Sequence, residues 1–386
     1  MRPGIDVLLA DSAHLVRGRR LALLTNHTGI DRAGRRDVDI LLAAGHQVRA
    51  LFSPEHGFQG TEDREGLPDA VDSASGLPIY SLYPGTRPPN YGMLDSIDVV
   101  LIDLQDIGGR YYTYVSTAVQ LMREAAKRRK RVFVLDRPNP VGGHRQQGNV
   151  RKDTAALQVL VSTLPIPMRH GLTLGELVRL ADDAYGIRAD LVVIPAAGWR
   201  RDMLFAATGL PWVKPSPNMP DLESAMHYPG SCLFEATNLS VGRGTPTAYQ
   251  VIGAPWLDPP RIVAHLEGAE SGDRSALVGV EVTAAEFTPR APTDAKYDGV
   301  PLRGLRLRVT DRATYDPTRL AVALLAALQA VHADSLRLRS AAFDRLAAGP
   351  ELREGILAGK SPSTIWADWD SALTAFQARS AKYLLY

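Results

Sequence analysis

Glu55 stands in the turn Ser53-Pro54-Glu55-His56-Gly57, flanked by a proline that fixes the backbone and a glycine that frees it. A carboxylate aimed by a rigid turn can serve as general acid, general base or nucleophile. The plain alternative is a turn carboxylate that hydrogen-bonds nearby amides. His56 is placed to orient it. A second carboxylate, Asp106, closes the apolar run Ile97–Leu104 together with Asp103. Charges in so apolar a stretch need partners, and Arg110 can pair with either. Asp103 reads as structural, while Asp106 stays open between pairing and catalysis.

Other polar residues gather at the same kind of place. Asn26 and His27 follow one apolar run, and Asp136, Arg137 and Asn139 follow another. Tyr112 and Tyr114, at period two, offer rings for stacking on a sugar and hydroxyls for bonding it; buried core tyrosines are the bland reading. Arg169, His170, Asn218, Glu235 and Asn238 come later. Arg243 sits between two glycines, where a ligand carboxylate would match its fork; a loop-stabilising arginine is the alternative. His27, His56, His170 and His227 lack the i,i+4 spacing of a helical zinc site, so no metal is expected. Gly-x-Ser-x-Gly is absent, and the single cysteine, Cys232, falls in an expected strand, which argues against a serine or cysteine nucleophile. What remains is carboxylate, amide, tyrosine and arginine, an inventory suited to sugar chemistry by paired carboxylates.

The elements that must position these groups alternate. Apolar runs at 20–25, 47–52, 97–104, 131–135 and 191–194 are separated by helical patterns at 37–44, 116–129 and 173–185. This is the pattern of buried parallel strands in βαβ units, whose ligands bind outside the strand carboxyl ends. Four polar loops therefore converge on one sheet edge. The second half reads as a smaller α+β domain, with a helix at 222–226, a strand at 232–235, helices at 259–267 and 317–331, and strands at 280–287 and 303–309. The boundary is placed near Pro220, giving domains 1–220 and 221–386.

Composition excludes several classes. Of the 386 residues, 44 are Lys or Arg and 42 are Asp or Glu, so charge gives no reason to expect nucleic acid as partner. No apolar window approaches a membrane span, and the N-terminus reads as lacking a signal peptide, so a cytoplasmic location is expected, with export possible if a leader was trimmed. No dinucleotide or triphosphate motif appears, so no cofactor is expected.

The strings Leu24-Thr25-Asn26-His27-Thr28-Gly29, Pro54-Glu55-His56-Gly57-Phe58, Asp103-Leu104-Gln105-Asp106-Ile107-Gly108 and Asp136-Arg137-Pro138-Asn139-Pro140 occur in this order. Pro215-Ser216-Pro217-Asn218, Phe234-Glu235-Ala236-Thr237-Asn238 and Gly242-Arg243-Gly244-Thr245 follow. Together they resemble the exo-β-N-acetylmuramidases of the NamZ type, glycoside hydrolase family 171. The resemblance implies a Rossmann-like domain, a smaller C-terminal domain and an active-site cleft between them. It also implies release of N-acetylmuramic acid from the non-reducing end of peptidoglycan disaccharides or muropeptides, with Glu55 as the catalytic candidate. Asp106, Glu235 or the substrate's own acetamido group is then the second group, and Arg243 or Arg169 a receptor for the lactyl carboxylate. Two other functions fit the residues: a non-catalytic muropeptide binder, and a metal-dependent hydrolase built on the Asp cluster.

Overall fold

A computed structural model describes residues 1–83, 90–153, 159–268 and 274–386. The first half opens with helix α1 (Gly4–Asp11), strand β1 (Arg20–Thr25), helix α2 (Asp37–Ala43) and strand β2 (Gln47–Ser53). Strands β3 (Ala70–Val71), β4 (Pro78–Ser81) and β5 (Val99–Asp103), helix α3 (Tyr114–Lys127) and strand β6 (Arg131–Leu135) follow. Then come β7 (Gln147–Val150), β8 (Pro167–Arg169), α4 (Leu174–Ala184) and β9 (Leu191–Ile194).

Seven described strands form one sheet in the order β3-β4-β2-β1-β5-β6-β9, parallel except for β3. The chain winds outward from β1 to β4 and then, in the other direction, from β5 to β9. The switch point lies between β1 and β5, where Thr25 pairs with Asp103. Alternate side chains enter opposite cores. Ala22, Leu24, Val100, Ile102, Val132 and Val134 pack on the side of α3 and α4. Leu21, Leu23, Leu101, Phe133 and Leu135 pack with Ile5 and Leu8 of α1 and Val38 and Leu41 of α2. Burial on both faces explains why these strands read as nearly continuous apolar runs.

The second half begins with helix α5 (Leu222–Ser231), capped by the Asp221 side chain on Ser224 N at 2.8 Å. The expected strand at 232–235 is instead a 3-10 turn, Cys232–Ala236, continuing this helix. Short apolar runs do not distinguish strand from buried helix, and Tyr228-Pro229-Gly230, beyond the expected helix end at 226, lies inside α5. Gly230 is required there: a Cβ would stand 1.9 Å from Pro317 O. Strand β10 (Val251–Ala254), helix α6 (Pro259–Glu267), and strands β11 (Val280–Phe287) and β12 (Leu302–Val309) come next. Strands β10, β11 and β12 form an antiparallel sheet in the order β10-β12-β11, packed on α6, which in turn packs on α7 (Pro317–His332). Helices α8 (Ser340–Ala347), α9 (Glu351–Leu357) and α10 (Pro362–Ser380), to which the sequence reading assigned nothing, complete the chain. The terminal Tyr386 returns to the first half, donating its hydroxyl to Asp136 Oδ2 at 2.8 Å.

At the carboxyl edge of the large sheet, Arg137 grips Asp103 with two hydrogen bonds, Nε–Oδ1 at 2.5 Å and Nη2–Oδ2 at 2.9 Å. Both side chains are buried. Removing one partner would strand the other charge in a dry interior. Asp103→Asn should therefore lower the unfolding free energy by about 3–5 kcal/mol in urea titrations; a loss under about 1 kcal/mol would mean that the pair carries little of the fold.

Candidate active site

A cavity of about 120 Å³ opens where the carboxyl end of β2 meets α5 and the segments around Asn218 and Arg243. Its lining includes Glu55, His56, Asp63, Tyr112, Thr113, Asn218, Glu235 and Arg243. The Glu55 turn is closed by Gly57 N donating to Pro54 O at 3.1 Å. His56 sits in that turn at φ +68°, a backbone region costly for a side chain with a Cβ. Tyr249, also in the lining, is held at φ +66°.

The half-buried Glu55 carboxylate accepts a hydrogen bond from the hydroxyl of Thr113, and the Tyr83 hydroxyl lies near enough to feel its charge. Burial first, then the charge of Glu55, pushes the Tyr83 hydroxyl above its ordinary value. Glu55, expected to be oriented by His56, is instead held by the Thr113 hydroxyl. His56 instead turns Nδ1 to Glu62 O at 2.7 Å, with Asp63 Oδ1 at 3.6 Å. The carbonyl accepts only, so Nδ1 carries the proton and Nε2 is the ring's basic nitrogen.

Across the cavity, Glu235 Oε1 accepts from Arg243 Nε at 3.1 Å, Arg243 Nη2 at 2.5 Å and the Tyr249 hydroxyl at 2.5 Å. Burial alone would push the Glu235 carboxyl up. The Arg243 charge and the Tyr249 hydrogen bond outweigh it and hold Glu235 below the usual carboxylate range. Tyr111, Tyr112, Tyr228 and Tyr249 form an edge-to-face aromatic wall, with Tyr228 and Tyr249 4.9 Å apart at 84°. Cys232 also lines the cavity, but burial pushes its thiol well up, so it is inert as a nucleophile.

Of the residues singled out from sequence, Glu55, His56, Tyr112, Asn218, Glu235 and Arg243 come together here. Asp106 does not. Its Oδ2 accepts from Gly108 N at 2.7 Å and stands 3.2 Å from His170 Nε2, in a fully buried pair. Arg110 is buried and spends its guanidinium on the carbonyls of Asn149, Ile166 and Leu346; burial pushes it down to about 10. Arg169, expected as a carboxylate receptor, is likewise buried on Gln147 Oε1 and Val141 O and is not among the residues that line the cavity. Asp136 accepts from Thr173 Oγ1, Gly175 N and Tyr386, and burial pushes it up to about 6. Arg137 is taken by Asp103, and Asn139 bonds Leu172 O and Val141 N.

Asn26 bonds the Tyr114 hydroxyl at 2.9 Å, and that hydroxyl turns to Pro215 O, away from the cavity. His27 contacts Lys214 O at 2.6 Å, its ring lying over Gly60, where a Cβ would meet it at 1.7 Å. Asn238 is a loop clamp on Ser335 O and Arg337 N. Sequence reasoning passed over Asp63, Thr113 and Tyr249. Asp63 hides in the charged run Glu62-Asp63-Arg64-Glu65, which reads as a solvated loop.

At the switch point itself, Phe205, Trp212 and Val213 pack over Thr28, Gln105 and Arg137, leaving a pocket of about 10 Å³. Among the described residues, no group of three His, Cys, Asp or Glu side chains is placed to hold a metal ion, and no helix is long and apolar enough to cross a membrane.

Fold and site define an α/β protein of the doubly wound type that carries a carboxylate- and tyrosine-lined cavity, the inventory of a sugar-processing hydrolase. Residues 21–223 match the family model described as exo-beta-N-acetylmuramidase NamZ, N-terminal, and residues 226–386 match its C-terminal counterpart. The chain belongs to the exo-β-N-acetylmuramidase NamZ family. It is 36% identical over 389 residues to the peptidoglycan beta-N-acetylmuramidase NamZ of Bacillus subtilis (strain 168), covering 100% of this chain and 91% of that one. Two solved structures of DUF1343 family proteins from Bacteroides fragilis NCTC 9343 superpose with TM-scores of 0.88 and 0.77. Their identities are 32% and 30%, and each match covers 100% of this chain and 98% of the other.

The depressed Glu235 carboxyl has a pH consequence. Its stabilisation is fully present above the ordinary value of 4.5 and is lost as pH falls through the folded-state value. The melting temperature of the wild type should fall more steeply than that of Glu235→Gln as pH drops below about 4.5. Parallel curves would show that Glu235 is not held ionised by Arg243.

Proposed function

We propose that this protein is a glycoside hydrolase that releases N-acetylmuramic acid from the non-reducing end of peptidoglycan-derived disaccharides and muropeptides. The observation that carries the reading is the meeting of Glu55 and Glu235, from the two halves of the sequence, in one tyrosine-walled cavity. Glu55 is the general acid that protonates the leaving glycosidic oxygen. Glu235, held as carboxylate by Arg243 and Tyr249, is the negative group that stabilises the oxocarbenium-like transition state or activates what attacks it. The aromatic wall supplies a stacking face for the sugar. In this reading residues 1–220 form the Rossmann-like domain and residues 221–386 the smaller domain that completes the cleft.

The test is hydrolysis of a chromogenic β-N-acetylmuraminide. Glu55→Gln should lower kcat by roughly 10²–10⁴-fold, the usual contribution of a positioned acid, while leaving the melting temperature within a few degrees of the wild type. Equal turnover by both proteins would remove Glu55 from the mechanism. Activity on plain N-acetylglucosaminides without activity on muraminides would overturn the substrate.

A further inference from the structure

Arg243 is the only lysine or arginine among the described residues that line the cavity, against the carboxylates of Glu55, Asp63 and Glu235. An acidic sugar entering this cavity meets an excess of negative charge. A guanidinium has five N–H donors, and all five of Arg243 are engaged. Nε and Nη2 donate to Glu235 Oε1, Nη2 also to the Tyr249 hydroxyl at 3.1 Å, and Nη1 to Asp63 Oδ2 at 3.1 Å and Thr293 Oγ1 at 3.0 Å. No donor is left for a ligand carboxylate.

The partners are not equivalent. Glu235 takes two donors and shares the Tyr249 hydroxyl, so that contact is braced. Asp63 takes one donor at 3.1 Å, and its remaining contacts are Asn218 Nδ2 at 2.8 Å and His56 at 3.6 Å. It also sits on an otherwise largely exposed charged stretch following the Glu55 turn. Asp63 is therefore the partner that can leave. The cavity volume agrees: about 120 Å³ is well below the roughly 300 Å³ at which small-molecule sites begin. Asp63 spans the opening, joining the β2 loop to Asn218 and Arg243, so the cavity grows if this contact is released.

We infer that Asp63 holds, in the closed site, the position on Arg243 that the lactyl carboxylate of N-acetylmuramic acid takes, so that the substrate enters by exchanging one carboxylate for another. This rests on the muramidase reading above. A neutral sugar breaks the Asp63–Arg243 contact and puts nothing in its place, whereas an acidic sugar restores a carboxylate to the freed donor. The contact thus works as a selectivity filter: it weakens binding of every sugar, and only a carboxylate recovers the loss.

Calorimetric titration of the full chain with N-acetylmuramic acid and with N-acetylglucosamine tests it. Asp63→Asn, which keeps shape and removes the competing charge, should bind N-acetylmuramic acid roughly tenfold more tightly than the wild type. Arg243→Gln should lose the preference for the acidic over the neutral sugar. Unchanged or weaker binding of N-acetylmuramic acid by Asp63→Asn would overturn the exchange and leave Asp63 a structural brace. A preference that survives in Arg243→Gln would overturn the assignment of Arg243. Circular dichroism checks the fold of both variants, and the Asp63→Asn comparison decides the matter alone if Arg243→Gln does not fold. Failure of the wild type to bind or hydrolyse any muraminide would instead strike the functional reading itself.

Discussion

Where buried parallel strands end, their polar residues must find partners inside the protein, and the Asp103–Arg137 pair at the ends of β5 and β6 is the strictest case. Both side chains are buried, and the arginine also donates to Ile30 O at 2.7 Å, tying the loop after β1 to the same point. Asp37 lies alongside; burial and the neighbouring Asp103 charge push it well up. Asp106 and Asp136, in the same loops after β5 and β6, repeat the arrangement, with His170 for the first and Thr173 and Tyr386 for the second. These contacts fix the loops after β1, β5 and β6, and from the loop after β5 Thr113 reaches the cavity. The pairs are a requirement of burial more than a source of net stability.

The carboxyl edge therefore has two tiers. An inner tier of buried polar pairs holds the loops together, and an outer tier of half-buried groups faces the cavity. The sheet was legible because its strands are short apolar runs between helical patterns, and several boundaries, such as Arg20–Thr25 and Arg131–Leu135, match residue for residue. The edge was legible as a place rich in polar residues. Its division into tiers was not. Asp106 and Glu55 both follow apolar runs, and only the three-dimensional neighbours show that one meets His170 in the interior while the other meets Thr113 at an opening. Tyr249 and Asp63 were illegible for a related reason: their role depends on the single arginine they share, which for Asp63 lies 180 residues away in the other half of the chain.

The Arg243 cluster unites the two halves of the chain. It draws Asp63 from the loop after β2 and Glu235 from the turn after α5 onto one guanidinium. This gives a carboxylate held ionised by Arg243 opposite one aimed by the Thr113 hydroxyl, the kind of division of environment that lets two like groups take different roles. Two non-glycine residues at positive φ, His56 and Tyr249, stand on either side of it. Backbone strain of this kind persists only where the surroundings over-determine it. Here it falls on the chain neighbour of Glu55 and on the hydroxyl donor to Glu235.

The most direct test of the account is a crystal structure of the Glu55→Gln variant with a bound N-acetylmuraminide. The account predicts the substituted side chain within hydrogen-bonding distance of the glycosidic oxygen, with Glu235 on the cavity wall facing the sugar ring. A glycosidic oxygen placed against any other carboxylate, with residue 55 turned away from the sugar, would contradict it.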